Sequence, residues 1–420
     1  MSGMTIAEKI LAKHSQKEKV KPGEFILADI DFAFGSDITF PIAMEVFNNE
    51  IGAEEVFDPT RVGIVLDHYY PAKDTASASN HKAMREFAEK FHLISLEGEG
   101  IEHVIIHEKG FVAPGELIIG ADSHTTTYGA LAAFATGVGS TDLAAAMVLG
   151  KIWLQVPESI KVVLKGKPGK WVMGKDIILH VIGEIGVSGA TYNVLEFSGE
   201  GLKHLSIDDR FTISNMAIEA GAKAGIFAFD EITRKYIENR LNRKYVVYES
   251  DEEADYKQEI EINLSELRPV VAMPNSPGNA RCIDDVKEKI RINQVVIGSC
   301  TNGRYSDLLV ASQILEGRKI HPKVRVLVFP GSNEIYLKAI KEGVIEKLIE
   351  AGASIGFPSC GPCFGGHMGN LAPGEVAVST TNRNFVGRMG SKDAKVILAS
   401  PAVAAASAVL GYLASPEELE

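Results

Sequence analysis

Short apolar runs rich in β-branched residues recur along the chain, and each closes on polar residues. RVGIVLDH (61–68), ELIIGADSH (116–124), QVVIGSCTNG (294–303), VRVLVFPGSN (324–333) and EVAVSTTNRN (375–384) share this plan. Between them lie stretches with helical patterning, such as STDLAAAMVLGKIWL and SDLLVASQIL. Strand–helix alternation predicts an α/β fold with mainly parallel sheets. In such sheets the crevice beyond the carboxyl ends of the strands is the usual ligand site. Asp67, Asp122, Cys300 and Asn382 all stand at such ends.

The pattern also divides the chain. A change of composition follows VPESIKVVLKG, and another α/β stretch begins near residue 285. Three α/β domains are therefore expected, over residues 1–156, 157–284 and 285–420, which agrees with about 150 residues per domain. The acidic run ESDEEADYKQE (249–259) reads as a solvated loop or sheet edge. TGVGST (136–141) lacks the lysine and third glycine of a nucleotide-binding loop, so it reads as a strand-to-helix turn capped by Ser140 or Thr141. The sequence shows no internal repeat. The N-terminal stretch around Ile6 and Leu11 suggests an amphipathic surface helix and lacks the apolar core of a secretory signal. No apolar run is long enough to span a membrane.

Composition narrows the function classes. The net charge of −12 disfavours nucleic acid or an anionic membrane as the main partner. Four cysteines in 420 residues exclude a disulfide scaffold. They suit a reducing, cytoplasmic setting in which thiols serve metals or catalysis. Cys360-Gly-Pro-Cys363 by itself fits either a metal site or a redox pair. Its place late in a large chain, before the glycine-rich FGGHMGN, argues against the redox reading. Cys300 then completes a trio with Cys360 and Cys363. Most [4Fe–4S] clusters use four thiolates, so three leave one iron without a protein ligand. Cys282, in NARCIDDVKE, reads as a structural or free thiol at the start of a surface helix.

Several blocks, in order, carry a resemblance: GADSHTTTYGA, ISNMAIEAGAK, IGSCTNGRYSD, PSCGPCFGGHMG and TTNRNFVGRMGS. The chain resembles the aconitase superfamily along nearly its whole length. Within that superfamily it looks most like the large-subunit families of 3-isopropylmalate dehydratase and homoaconitase. The resemblance implies three α/β domains around a central [4Fe–4S] cluster cleft and hydro-lyase activity on a hydroxy di- or tricarboxylate. It implies that the swivelling fourth domain, with the family's catalytic serine, resides on a separate small subunit.

Roles carried by the resemblance fall on matching residues. Asp67 orients His68, and His68 helps protonate the departing hydroxyl. His103 pairs with an acid, Asp122 lies near it, and His124 serves the cluster or its bound water. Glu219 works near the open iron. Asn215, Asn302 and Asn382 tune the cluster, Asn302 and Asn382 by hydrogen bonds to its sulfurs, and Ser123, Arg383 and Arg388 bind substrate. Without the resemblance, Asp122 reads as a helix cap, and Asn215 with Glu219 as one polar helix face. The chain departs from the family at Ser36, where relatives usually carry Gln or His that hydrogen-bonds substrate, and at Phe40, where dehydratases often have Gly and where the ring is expected to add bulk close to the substrate. Ser36 is expected to reach substrate only through water, which leaves substrate choice open between 3-isopropylmalate, the leading reading and a step of leucine synthesis, homocitrate or homoaconitate, and smaller methylated malates. Two other readings are weaker: an apo-form that binds RNA, opposed by the acidic balance, and a thiol–disulfide oxidoreductase.

Overall fold

The computed structural model describes residues 3–420. All five apolar runs form strands: Val62–Leu66, Leu117–Gly120, Gln294–Gly298, Arg325–Phe329 and Val376–Ser379. The first three are buried along their length apart from the turn that follows. That is the pattern of parallel strands covered on both faces. The fold is α/β with mainly parallel sheets, as the alternation predicts. No described helix is long and apolar enough to cross a membrane.

The chain divides into two compact units. The first takes the chain up to Gly98 with Ile105–Lys165 and Ala190–Ile262. The second takes Glu99–Val104, Gly166–Gly189 and Asn263–Glu420.

In the first unit, a five-stranded parallel sheet has the order Ile94–Glu97, Val62–Leu66, Phe32–Ser36, Leu117–Gly120, Phe134–Gly137. The chain enters at the middle strand, builds to one edge, then crosses back to build the other. Neighbouring loops therefore part at the carboxyl ends of Phe32–Ser36 and Leu117–Gly120, which makes this the switch point where a ligand crevice opens. The helix Thr75–Phe91 covers one face with Met84, Phe87, Ala88 and Phe91, and its Phe87 packs edge-on against Phe40 and Phe47. The same unit carries a second sheet in the order Ala224–Phe227, Val194–Ser198, Ser159–Lys165, Gln258–Asn263, and an antiparallel ribbon of Phe25–Asp29 with Lys151–Gln155.

The second unit repeats the plan. Its seven-stranded sheet contains five parallel strands in the order Ser354–Ile355, Arg325–Phe329, Gln294–Gly298, Val376–Ser379, Lys395–Leu398. Again the chain starts in the middle, and the switch point lies between Gln294–Gly298 and Val376–Ser379. This topological repeat has no counterpart as a sequence repeat. Val270–Ala272 and Ala280–Cys282 extend the sheet antiparallel. The apolar helix Pro401–Leu410 is buried from Pro401 to Ala408, as an alanine-rich helix packed between layers must be.

Local readings need correction in three places. KIWLQ is a strand, Lys151–Gln155, because Gly150 adopts φ +65° and ends the helix Ser140–Leu149. The cap of that helix is Gly139; Ser140 instead donates its hydroxyl to the Thr39 carbonyl at 3.0 Å. Cys282 ends a strand and precedes a short 3₁₀ turn rather than opening a helix. The acidic run leads into the edge strand Gln258–Asn263, and the N-terminal helix Ile6–His14 buries Ile6, Ile10 and Leu11.

The helix Ile207–Met216 starts in a reciprocal cap. The Asp209 amide donates to Ser206 Oγ at 3.1 Å, and the Ser206 amide donates to Asp209 Oδ2 at 3.0 Å. Ser206→Ala is expected to cost about 1 kcal/mol of stability, read as a lower urea midpoint with an unchanged slope.

Candidate functional site

The sequence-predicted residues divide between the units. Ser36, Asp67, His68, Asp122, Ser123, His124, Asn215 and Glu219 lie in the first; His103, Cys300, Asn302, Cys360, Cys363, Asn382, Arg383 and Arg388 lie in the second.

In the first unit, the residues after three adjacent strands form an acid–base group. Asp67 and His68 follow Val62–Leu66, and His68 Nδ1 stands 2.7 Å from Asp67 Oδ1. A carboxylate at this distance takes the Nδ1 proton and sets the tautomer. Asp37, one residue past the middle strand, holds this turn from beneath. It accepts the amides of His68 at 3.0 Å and Tyr69 at 2.8 Å, and its Oδ2 meets His81 Nε2 at 2.8 Å. Asp37 and His81 are both buried. Burial pushes the Asp37 carboxyl up, but the His81 hydrogen bond, the charge of His68 and the two amides outweigh it, so the net shift is downward. A depressed carboxylate stabilises the fold above its unfolded pKa and ceases to do so as pH falls through its folded value. The difference in unfolding free energy between wild type and Asp37→Asn is therefore expected to narrow as the pH drops below about 4. Urea titrations at neutral and acid pH check this.

Ser36 is buried, and its hydroxyl stands 3.2 Å from Thr39 Oγ1. Phe40 belongs to the core: it is fully buried, and a Cβ on Gly35 would stand 3.0 Å from its ring. Its expected bulk at the site is thus spent on packing.

Across the switch point, Asp122 caps the 3₁₀ helix Ser123–Leu131 by accepting the His124 amide at 2.7 Å. The cap and the functional reading coincide here. The His124 ring lies between two carboxylates, with Nε2 2.9 Å from Glu219 Oε1 and Nδ1 3.3 Å from Asp122 Oδ1. The three threonines that follow explain why this segment stays in place. Thr125 donates to the Asp122 carbonyl, Thr126 to the Asn215 carbonyl, and Thr127 to the His124 carbonyl. Asn215 closes the ring, donating Nδ2 to Thr127 Oγ1 at 2.9 Å. The helix carrying Asn215 tightens to a 3₁₀ turn at Ala217–Ala220, yet Asn215 and Glu219 still grip the same Ser123–Leu131 segment. Ser123 is partly exposed beside them.

In the second unit, Cys300 leaves the middle strand through a strained turn. Gly298 has φ +147°, and a Cβ there would stand 2.4 Å from the Phe329 carbonyl oxygen; Ser299 has φ +70°, rare for a residue with a side chain. The second cysteine loop needs glycine as well. Gly361 has φ +52°, and a Cβ there would meet the Phe329 ring at 2.6 Å. The Cys363 amide donates to the Cys360 carbonyl at 3.1 Å. All three thiols are buried, and none forms a disulfide. Asn382, past the strand across the switch point, links two of them: its Nδ2 is 3.5 Å from Cys300 Sγ, and its Oδ1 is 3.5 Å from Cys363 Sγ. Asn302 donates Nδ2 to Asp307 at 2.9 Å. Cys282 lies on an edge strand with three strands between it and Gln294–Gly298, about 19 Å across the sheet.

His103 is buried with its Nε2 3.4 Å from Glu102 Oε1. Arg383 and Arg388 are partly buried and flank Phe385 and Val386, which are exposed. Sequence reasoning missed Asp37, His81, Lys175 and Arg304, of which Lys175 donates to the carbonyls of Thr380 and Thr381, and Arg304 to those of Cys300 and Thr301. Only Asp37 had a local signal, as the acid directly after a strand end.

Three buried thiols with an amide at two of their sulfurs suit a soft metal centre, and thiolates of this kind favour iron–sulfur clusters. The class is an α/β protein with such a thiol site at a sheet's switch point. The chain belongs to the aconitase family: the model described as Aconitase family (aconitate hydratase) matches residues 8–411. It is 58% identical to the 3-isopropylmalate dehydratase large subunit of Caldanaerobacter subterraneus over the whole of both chains. It is 56% identical to the protein of that name from Caldicellulosiruptor bescii, covering 99% of this chain and 97% of the other. The crystal structure of Thermococcus kodakaraensis aconitase X in its holo-form is similar in fold, with TM-score 0.50 and 14% identity over 93% of this chain and 92% of that one.

Proposed function

We propose that this chain is the catalytic large subunit of a cluster-dependent hydro-lyase that isomerises a hydroxy acid by dehydration and rehydration, with 3-isopropylmalate, an intermediate of leucine synthesis, as substrate. The observation that carries the reading is the identity to 3-isopropylmalate dehydratase large subunits along the whole chain. The buried thiol trio, two of its sulfurs flanked by Asn382, supports it.

Cys300, Cys360 and Cys363 hold a [4Fe–4S] cluster. When bound, the cluster supplies Lewis acidity at the one iron that three thiolates leave without a protein ligand. The chain's own groups do the rest. Asp67 keeps the proton on His68 Nδ1, so proton transfer to the departing hydroxyl falls to Nε2. Glu219 and Asp122 hold His124 between them, fixing its ring and its proton. His103 is held by Glu102. Arg383 and Arg388 grip the substrate carboxylates, where bidentate hydrogen bonds give both affinity and orientation. Ser123 completes the substrate contacts, and Ser36 reaches substrate only through a water. Asn302, Asn382 and Asn215 position the loops around the reacting groups.

The relatives' designation as large subunits supports a two-subunit enzyme. The small subunit supplies the swivelling domain and the serine that takes the carbon-bound proton. The pairing acts in the cytoplasm.

The test is anaerobic reconstitution with iron and sulfide, followed by assay with 3-isopropylmalate. The expected result is a brown protein that turns over substrate only after the small subunit is added. A colourless chain after reconstitution overturns the cluster; a brown one active only on homoaconitate overturns the substrate.

A further inference from the structure

We propose that the outer face of the ribbon formed by Phe25–Asp29 and Lys151–Gln155 is a self-association surface, on which a second copy of this chain docks.

An antiparallel ribbon with one face on a core should carry apolar residues inward and polar residues outward. This ribbon obeys the first half of that rule. Ile26, Ala28, Ile152 and Leu154 are buried in the core of the first unit. On the other face stand Phe25, Leu27 and Trp153, which are 55%, 54% and 64% exposed. Trp153 is the most exposed large apolar side chain among the described residues. Leu27 lies directly opposite Trp153 in the register, and the Phe25 ring stacks on the indole with centroids 4.7 Å apart and planes within 6°. The three side chains therefore make one contiguous patch.

With about 200 Å² for a full aromatic side chain, the patch presents roughly 350 Å². That lies in the range where the largest apolar patch of a monomer is often functional. It is a little under half of the about 800 Å² that each partner contributes to a stable interface, a fitting share for an apolar core inside a polar rim.

The charges at the border select the occupant. Lys17 pairs with Glu24, Lys151 with Asp29 at 3.1 Å, and Lys257 with Glu158 at 2.8 Å. These acids and bases cancel within one chain, so they leave no excess charge to select a partner of opposite sign. A chain of net charge −12 repels its own copy over most of its surface, and a copy can close only where the local charge cancels. A two-fold pairing then sets the same apolar patch on both sides. Pro22, Gln155, Pro157 and Tyr192 line a groove of about 350 Å³ that begins two residues along the strand from Trp153. It offers a hole for the protruding indole of the second copy. None of the candidate site residues of this unit stands on the ribbon, so the pairing does not occupy the crevice at the strand ends.

The experiment is sedimentation equilibrium of the full chain at micromolar concentration, as wild type, Trp153→Ala, Leu27→Asp and Ile340→Asp. Ile340 is an exposed apolar residue on the helix Asn333–Lys341 of the second unit and serves as control. The wild type is expected to sediment at twice the mass of one chain. Trp153→Ala is expected to weaken the dimer about 30-fold or more, as loss of an aromatic anchor does. Leu27→Asp should be monomeric and Ile340→Asp dimeric. Circular dichroism and the melting temperature of the monomer should match wild type in each, since the replaced side chains are exposed. Tryptophan emission should shift to the red as the wild type is diluted through dissociation, and not in Leu27→Asp. A monomeric wild type overturns the proposal, as does a dimer that survives both ribbon substitutions or one lost only in Ile340→Asp. Wild type and Leu27→Asp are also run with the small subunit added. A monomeric wild type that binds the small subunit, with that binding lost in Leu27→Asp, assigns the face to the other subunit and overturns the proposal too.

Discussion

Replacing Cys363 with serine is expected to leave the chain folded but unable to keep a complete four-iron cluster. Turnover should fall by about 10³-fold or more, since the Lewis acid contributes several kcal/mol to the transition state and each 1.36 kcal/mol is tenfold. The physical reason is the donor set: serine is a hard ligand with a short reach, and the remaining thiols cannot hold the metal in the same geometry. Cys363 Sγ also meets Asn382 Oδ1 at 3.5 Å, so the amide that links it to Cys300 loses one of its two partners. Iron and sulfide analysis with visible spectroscopy reads the cluster, and assay with the small subunit reads turnover. Cys282→Ser serves as the control. On its edge strand it should change neither quantity. Full iron content in Cys363→Ser, or loss of the cluster in Cys282→Ser, contradicts the assignment.

Asp67→Asn is expected to lower kcat by about 10²–10⁴-fold, the range for losing effective general acid–base catalysis, with little change in KM. Asp67 is buried, and its Oδ1 receives the His68 Nδ1 proton at 2.7 Å. An asparagine in the same place is uncharged, so it no longer stabilises the doubly protonated ring that Nε2 needs in order to donate. The ring keeps its position and loses the carboxylate that favours its donating form. Because Asp37 anchors the His68 and Tyr69 amides independently, the turn itself should survive, and the melting temperature should move little. A kcat close to wild type removes His68 from the proton-transfer role; a collapse of stability instead makes Asp67 a structural acid.

The legible part of the site was the part written in short motifs. Asp67, Asp122, Cys300 and Asn382 each follow an apolar run, and a polar residue just past a parallel strand has few places to go other than the loop crevice. The cysteine trio was legible from count and spacing, and the family resemblance added roles that spacing alone leaves open. The supporting residues were hidden because their partners are remote along the chain. His81 reaches Asp37 across 44 residues, and Lys175 reaches Thr380 across 205. Nothing near Lys175 in sequence separates it from an ordinary helical surface lysine. Phe40 misled for the opposite reason: next to a candidate substrate residue, it points into the core against Phe87. Gly150 and Ser140 show the same limit locally, since the choice between continuing a helix and starting a strand depended on a backbone turn that a hydrophobic pattern does not encode.

By itself, the order of amino acids determined the alternation of strands and helices, the sulfur chemistry available and the family. These depend on local patterning and on which side chains exist. The tertiary structure alone decided that the same strand order is built twice, that Asn382 stands between two thiols, and that Asp37, His81, Lys175 and Arg304 brace the turns. Such facts depend on which distant segments the sheets bring side by side, and a chain read one residue after another carries no coordinate for that.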